Sequence, residues 1–354
     1  MAGRITIKDI SKKVGVSATT VTKALNGKDK ISEEMRKTIL ETAKEMGYEP
    51  NRFASALARN EIRLGIVIPR EPQVFFADVI EGINAGIKAL MDERVSGEFF
   101  FLEDTGEAQR AQLQEFLEKG FNGLILSPGL YFKDDVKLAQ YISKHSKTPL
   151  IYLFNEIEDV TGNGYVRTNG VVAGHIACEL LDIKNGGQGG SFGILTADRD
   201  VQVHRDCIEG FCAEAALRNM DVVEIADMFD HYEMAYRATK KMVERHQELR
   251  GIYITSYNCV PVCEYLKDAQ REREIGVVAQ DLNEESVKRL AGGELVGLIF
   301  QNPFEQGRRA VENMFRYLVE NREMGDTLML PQLVIRSNVQ AYVDECMKNQ
   351  EEIM

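Results

Sequence analysis

Residues 5–60 read ITIKDISKKVGVSATTVTKALNGKDKISEEMRKTILETAKEMGYEPNRFASALARN, three short helical patterns divided by turn residues and followed by a fourth segment that opens on a proline. Thr6 with Asp9 forms a capping-box signature, after which Ile7, Ile10 and Val14 share one helical face. Gly15 supplies a turn and Ser17 an N-cap. Val21 and Leu25 are the buried face of a second helix, with Val16 in the turn between the two. Ser32, with Glu33 and Glu34 in the favourable first turn, starts a third helix whose Met35, Ile39, Leu40 and Ala43 close a trihelical core. The opposite face of helix two carries Ala18, Thr19, Thr22 and Lys23. That spacing lines one side of a helix able to enter a major groove, where threonine meets a thymine methyl or a base edge and lysine meets guanine. The plain alternative is a small bundle packed for its own sake, because threonine and lysine are ordinary on solvated faces.

Charge separates these readings. Residues 1–60 contain 12 Lys+Arg against 7 Asp+Glu, a net of +5, in a 354-residue chain whose net is −12, so the remainder carries −17. An acidic body repels phosphates, and a basic headpiece on it marks where a polyanion binds. The body must bind something else.

The stretches TIKDISKKVGVSATTVTKALNG and ISEEMRKTILETAKEMGYEPNRFASALARN resemble the lactose-repressor (LacI/GalR) family of bacterial transcription regulators, and weaker collinear landmarks continue to about residue 340. The resemblance implies a helix-turn-helix headpiece over 1–49, a hinge helix over 50–60 and an effector-binding and dimerisation body over 61–354. It assigns base contacts to Ala18, Thr19 and Lys23, with Ala18 a departure toward a small side chain. Pro50 to Ala58 resembles the hinge helix, a segment too short to be stable alone that folds when paired with its twin in the minor groove. There Asn51 and Arg52 meet the backbone, Ala54 approaches the groove floor and Leu57 wedges into the central base step.

Beyond residue 62, apolar runs alternate with amphipathic stretches. The runs Leu64–Ile68, Phe99–Leu102, Gly123–Leu126 and Leu150–Phe154, with helical spacing over Val79–Met91 and Ala108–Leu117, predict a first doubly wound lobe with a parallel sheet buried on both faces. Phe192–Leu195, Val222–Ile225, Ile252–Ile254 and Ile275–Val278 predict a second, and Val296–Phe300, a helix after Pro303 and Gln332–Ile335 follow. The family crosses between lobes three times. Crossings near 160, 290 and 325 give a first lobe of about 61–160 and 290–324 and a second of about 161–289 and 325–345, a body like that of the periplasmic binding proteins. The glycines of Asn185–Gly190 precede a strand, the wrong context for a dinucleotide loop, and read as a turn. The tail from Asp344 lacks the leucine repeats of a coiled coil.

Open α/β lobes bind ligands at the carboxyl ends of their strands. This rule points to Phe75 and Phe76, Ser127 and Pro128, Gln280 and Asp281, and Gln301 and Asn302, aromatic faces and hydrogen-bonding groups suited to a small polyol. The resemblance places Asp281 and Gln301 where sugar-responsive members hold their effector, with Phe75 and Phe76 at the lobe mouth. It also exposes two departures: Asn169 stands for an expected Asp, and Cys207 for an effector-gripping Arg, a role no thiol can fill. His204, Arg205 or Arg167 could supply a substitute charge, and Tyr257 and Asn258 occupy the loop where Asn-Asp is common.

The expectation is a cytoplasmic homodimer that binds a pseudo-palindromic DNA operator, acts as a repressor and responds to a sugar-like effector between its lobes. The alternative keeps the regulator but replaces the small ligand with a protein co-regulator. No GxSxG, P-loop or HExxH motif points to an enzyme, and no cofactor is expected. The six cysteines lack metal-ligand spacing and read as reduced, mostly buried thiols; no leader or membrane span is evident.

Overall fold

A computed structural model describes residues 7–25, 31–46, 61–70, 73–102, 107–127, 141–142, 147–154, 164–320 and 322–344. Thr6 and the hinge residues Asn51, Arg52, Ala54 and Leu57 lie outside them, as do Pro128, Cys346 and the side chain of Ile7.

The headpiece consists of α1 (Ile7–Val14), α2 (Ala18–Leu25) and α3 (Glu33–Glu45). Gly15 turns the chain at φ +76°, a conformation that favours glycine. Ser17 Oγ accepts the Thr20 N–H at 3.1 Å and Ser32 Oγ the Met35 N–H at 3.3 Å, so both expected N-caps are formed. Ile10, Val21, Ala24, Ile39 and Ala43 are the buried centre, with Val14, Val16, Leu25 and Met35 packed around them. Leu40 departs from expectation at 45% exposed. The buried face of α3 steps from Met35 to Ile39 to Ala43, and Leu40, one residue on, is turned about 100° away from it.

The body is two sheets. The first holds β1 (Ile62–Pro69), β2 (Val95–Leu102), β3 (Gly123–Leu126), β4 (Leu150–Leu153), β5 (Gly164–Thr168) and β11 (Thr327–Met329), in the order β11-β5-β4-β3-β1-β2. The second holds β6 (Gly190–Thr196), β7 (Met220–Asp227), β8 (Leu249–Ile254), β9 (Gly276–Gln280), β10 (Gly297–Phe300) and β12 (Gln332–Val334), in the order β12-β10-β9-β8-β6-β7. All neighbours are parallel except β12, which runs antiparallel to β10. The two orders are the same pattern twice, with a switch point beside the first strand of each sheet. Central strands β3, β4, β9 and β10 are buried along their whole length, as parallel strands covered on both faces must be.

Helices α4 (Gln73–Ala89) and α5 (Glu107–Glu118) serve the first sheet. Around the second lie α6 (Gly170–Lys184), α7 (Gln202–Leu217), α8 (Tyr232–Arg245), α9 (Val260–Asp268) and α10 (Glu284–Gly292). Helix α11 (Pro303–Glu320) returns to the first lobe and packs on α4. Glycines make this approach possible: a Cβ at Gly82 would stand 1.9 Å from the Phe304 carbonyl oxygen. The α6–α7 pair is equally close, since a Cβ at Gly210 would stand 2.0 Å from the Val171 oxygen.

The chain changes sheet between Thr168 and Gly170, between Phe300 and Pro303, and between Met329 and Gln332, each time later than the expected 160, 290 and 325. Two short strands, β5 and β11, extend the first lobe past its expected edges, and β10 pairs with β9 and β12 in the second lobe rather than the first. The crossings are tied together. Thr168 Oγ1 donates to the Gln301 carbonyl at 3.1 Å, Gln306 Nε2 donates to the same carbonyl at 2.9 Å and to Thr168 Oγ1 at 3.1 Å, and the Asn169 N–H reaches the Met329 carbonyl at 2.8 Å.

Candidate functional site

Strand ends from both lobes meet around a cleft with about 400 Å³ of empty space, open solvent included. The first lobe contributes Phe75, from the start of α4, and Phe154, which follows β4; their rings meet edge-on at 4.9 Å between centroids. The second contributes Val203 and His204 on α7, Asp230 after β7, Thr255, Ser256 and Tyr257 after β8, Gln280 and Asp281 at the end of β9, and Gln301 after β10. Phe154, Asp230 and Asp281 hold φ values of +69°, +50° and +64°. Left-handed backbone at three non-glycine positions on one cleft is strain of the kind that accumulates at binding sites.

Asp281 is buried, and the Gln301 amide donates to both its oxygens, at 3.2 and 3.0 Å. Burial pushes its carboxyl up to about 7, opposed by the hydrogen bonds from Gln301 and assisted by the charges of Asp78 and Asp230. Asp78, on α4, shares a side pocket with Asp281 and is pushed up to about 6 by burial and by Glu81. Asp230 accepts the Ser256 hydroxyl at 2.5 Å. His204 is 5% exposed, with Nδ1 3.0 Å from the Thr255 carbonyl oxygen. Nδ1 also lies 2.9 Å from the Thr255 hydroxyl, whose proton goes to Thr196 Oγ1, so both partners of Nδ1 accept; Nδ1 carries the proton and Nε2 is a bare acceptor. Burial holds the ring's pKa down and keeps it neutral. Nε2 is buried without a hydrogen-bond partner among the described residues.

Of the residues singled out from the sequence, Phe75, His204, Tyr257, Gln280, Asp281 and Gln301 line this cleft. Phe76 stands behind it, edge-on to Phe75, and Ser127 is fully buried with its N–H on the Val67 carbonyl. Asn169 is the N-cap of α6, its Oδ1 accepting the Val172 N–H at 3.1 Å. Arg205 is exposed and bonds the Asp200 carbonyl, and Asn258 is half-buried beyond the cleft wall. Cys207 is 1% exposed and accepts the Gln280 amide at 3.0 Å, while the same amide donates to Tyr253 Oη at 2.7 Å. Burial raises its thiol to about 11, so it offers the cleft no charge. Arg167 supplies none either, being paired with Asp206 at 2.6 Å across the two lobes. Phe154, Val203, Asp230, Thr255 and Ser256 were not singled out. The strand-end rule applied to the Leu150, Val222 and Ile252 runs leads to Phe154, Asp230, Thr255 and Ser256.

In the headpiece, Thr19 and Lys23 are exposed and Ala18 and Thr22 half-buried on the outer face of α2. The Thr22 hydroxyl donates to the Ala18 carbonyl at 2.9 Å, which leaves its methyl as the group best placed for an outside contact. Cysteines 178, 207, 212, 259 and 263 are free thiols, Cys212 alone only half-buried, and no group of three or more His, Cys, Asp or Glu among the described residues could hold a metal. No helix of the described residues is long and apolar enough to cross a membrane.

Residues 6–51 match the profile of the bacterial regulatory proteins of the lacI family, and residues 64–322 match that of the periplasmic binding protein domain. The chain belongs to the lacI family. Among its relatives, the HTH-type transcriptional regulator MalR of Streptococcus pneumoniae is 25% identical over 331 residues, covering 90% of this chain and 94% of that one. The ribose operon repressor of Haemophilus influenzae is 25% identical over 210 residues, 58% of this chain and 59% of its own. Among solved structures, GanP, a glucose-galactose binding protein from Geobacillus stearothermophilus, superposes with a TM-score of 0.70 at 18% identity, covering 79% of this chain and 99% of that one. This lacI-family member therefore joins a DNA-binding headpiece to a body with the fold of sugar-binding proteins.

Proposed function

We propose that this regulator is a repressor that binds a pseudo-palindromic operator as a homodimer and is controlled by a small, sugar-like effector held between its lobes. The observation that carries the reading is the pairing of a basic helix-turn-helix headpiece with an acidic two-lobed body whose strand ends converge on a polar cleft. Ala18, Thr19, Thr22 and Lys23 read base edges in the major groove, and Asn51, Arg52, Ala54 and Leu57 form the hinge in the minor groove. Phe75, His204, Tyr257, Asp281 and Gln301 contact the effector. Gln301 sits both in the cleft and in the hydrogen-bonded crossing with Thr168, so a ligand that engages it changes the angle between the lobes. Differential affinity for two lobe angles, transmitted to the spacing of the paired hinges, is the switch.

The test is operator selection from a random DNA pool with the full chain, followed by a melting screen of the same protein against small polyhydroxylated compounds. A two-fold symmetric consensus and a dose-dependent rise in melting temperature support the reading. An asymmetric consensus removes the dimer; a screen without any hit moves control to a protein co-regulator.

A further inference from the structure

Hydrogen-bonding capacity in the cleft is one-sided. Four side-chain donors of its wall are already engaged: the Gln301 amide by Asp281, the Gln280 amide by Cys207 and Tyr253, the Ser256 hydroxyl by Asp230 and the Thr255 hydroxyl by Thr196. What the described walls present is acceptor capacity, namely the carboxylates of Asp281 and Asp230 and the bare Nε2 of His204, which is buried and has no partner. Asp78 adds a third carboxylate in the adjoining pocket. No Lys or Arg is among the described lining residues, and the thiol of Cys207 beneath Gln280 is buried and neutral. A hydroxyl brings one donor with two lone pairs, whereas an ammonium brings three donors and no lone pair. Phe75, Phe154 and Tyr257 add aromatic rings to the lining.

Resting on the reading above that the cleft takes a small effector, we propose that the effector is a cationic polyhydroxylated amine, an amino sugar or a compound of the same chemistry, with its ammonium group among Asp281, Asp230 and His204. Neutral sugars fill the cleft less well, and sugar phosphates and sugar acids are repelled. The cation also favours the ionised form of Asp281, whose charged and titratable neighbours are Asp78 from α4, Asp230 after β7, Cys207 and His204 on α7, and Tyr253 on β8. Binding near pH 7 therefore releases protons.

The test is titration calorimetry of the full chain with glucosamine, galactosamine and mannosamine, each set against its parent sugar, its N-acetyl derivative and its parent's 6-phosphate. The expected result is an amine binding at least tenfold tighter than its parent, with the gain abolished by N-acetylation and no binding of the phosphates. Heats measured in phosphate and in Tris buffer should differ for the amine and agree for any neutral sugar. Asp281→Asn, with Asp230→Asn as a second variant and melting curves to verify folding, should remove at least tenfold of the amine's affinity. A neutral or phosphorylated sugar that binds tighter than its amine overturns this inference and leaves the effector cleft standing. Silence from all the compounds overturns both.

Discussion

At the scale of single residues, Asp281 is the most informative side chain in the body. Its carboxyl is held at about 7 in the fold against an ordinary 3.8, burial being the largest cause. A group whose folded pKa is raised binds more protons in the native state than in the unfolded chain between those two values. Its contribution to stability is thus fully present below about pH 4 and is lost as pH rises through about 7. Asp281→Asn keeps an acceptor for Gln301 and removes the buried charge. The variant should be more stable than the parent at pH 8, by on the order of 1 kcal/mol or more, and urea denaturation across pH 4–8 should show a flatter profile. A parent profile already flat across that window would refute the raised carboxyl. Asn169 makes the opposite point. It was expected at the effector, yet its side chain caps α6, so Asn169→Ala should cost about 1 kcal/mol of stability and Asn169→Asp should restore it, with effector affinity unchanged in both. A large loss of effector affinity in a well-folded Asn169→Ala protein would return the residue to the cleft. Position along the chain was legible from the sequence here; what each side chain contacts was not. Asp281 and Gln301 followed from strand ends, but nothing local distinguishes a cap from a ligand contact, or shows that Cys207 lies beneath Gln280.

At the scale of elements, the two lobes use glycine for close helix packing, α4 on α11 through Gly82 and Gly307, and α6 on α7 through Gly174 and Gly210. A methyl at Gly210 meets the Val171 backbone at 2.0 Å, and backbone cannot turn aside as a side chain can. Gly210→Ala should force α6 and α7 apart and destabilise the body by roughly 1–3 kcal/mol, read as a lower urea midpoint. Because α7 carries His204, it should also weaken effector binding. An unchanged midpoint would mean that the helices yield freely. These contacts were invisible in the sequence, because helical glycine reads there only as lowered propensity. The long apolar strands were legible because burial on both faces leaves uninterrupted runs. β5 was not, since its half-buried Tyr165 and Arg167 alternate with Gly164, Val166 and Thr168, and β11 has three residues and an exposed Leu328. Missing those two strands displaced the expected crossings toward the N-terminus.

For the whole molecule, the division of charge decides which part meets DNA. The first 60 residues carry +5 and the rest −17, so the body opposes the approach of a polyanion and the headpiece must overcome it. The body also has a fold that makes up 99% of the length of another protein, which covers 79% of this chain. Residues 61–354 should therefore remain folded when expressed alone, show no DNA binding even at low salt, and retain the effector-dependent rise in melting temperature. The full chain should bind its operator with an affinity that falls by orders of magnitude between about 50 and 200 mM salt, because each phosphate contact releases a counterion. Within that binding, Lys23→Ala should relax base preference at one symmetric pair of positions. Leu57→Ala should weaken operator binding more than non-specific binding, since a wedge acts only where the central step is opened. Gel-shift titrations at several salt concentrations read all of these. DNA binding by the isolated body would place the polyanion site on the acidic lobes and refute the division of labour between headpiece and cleft.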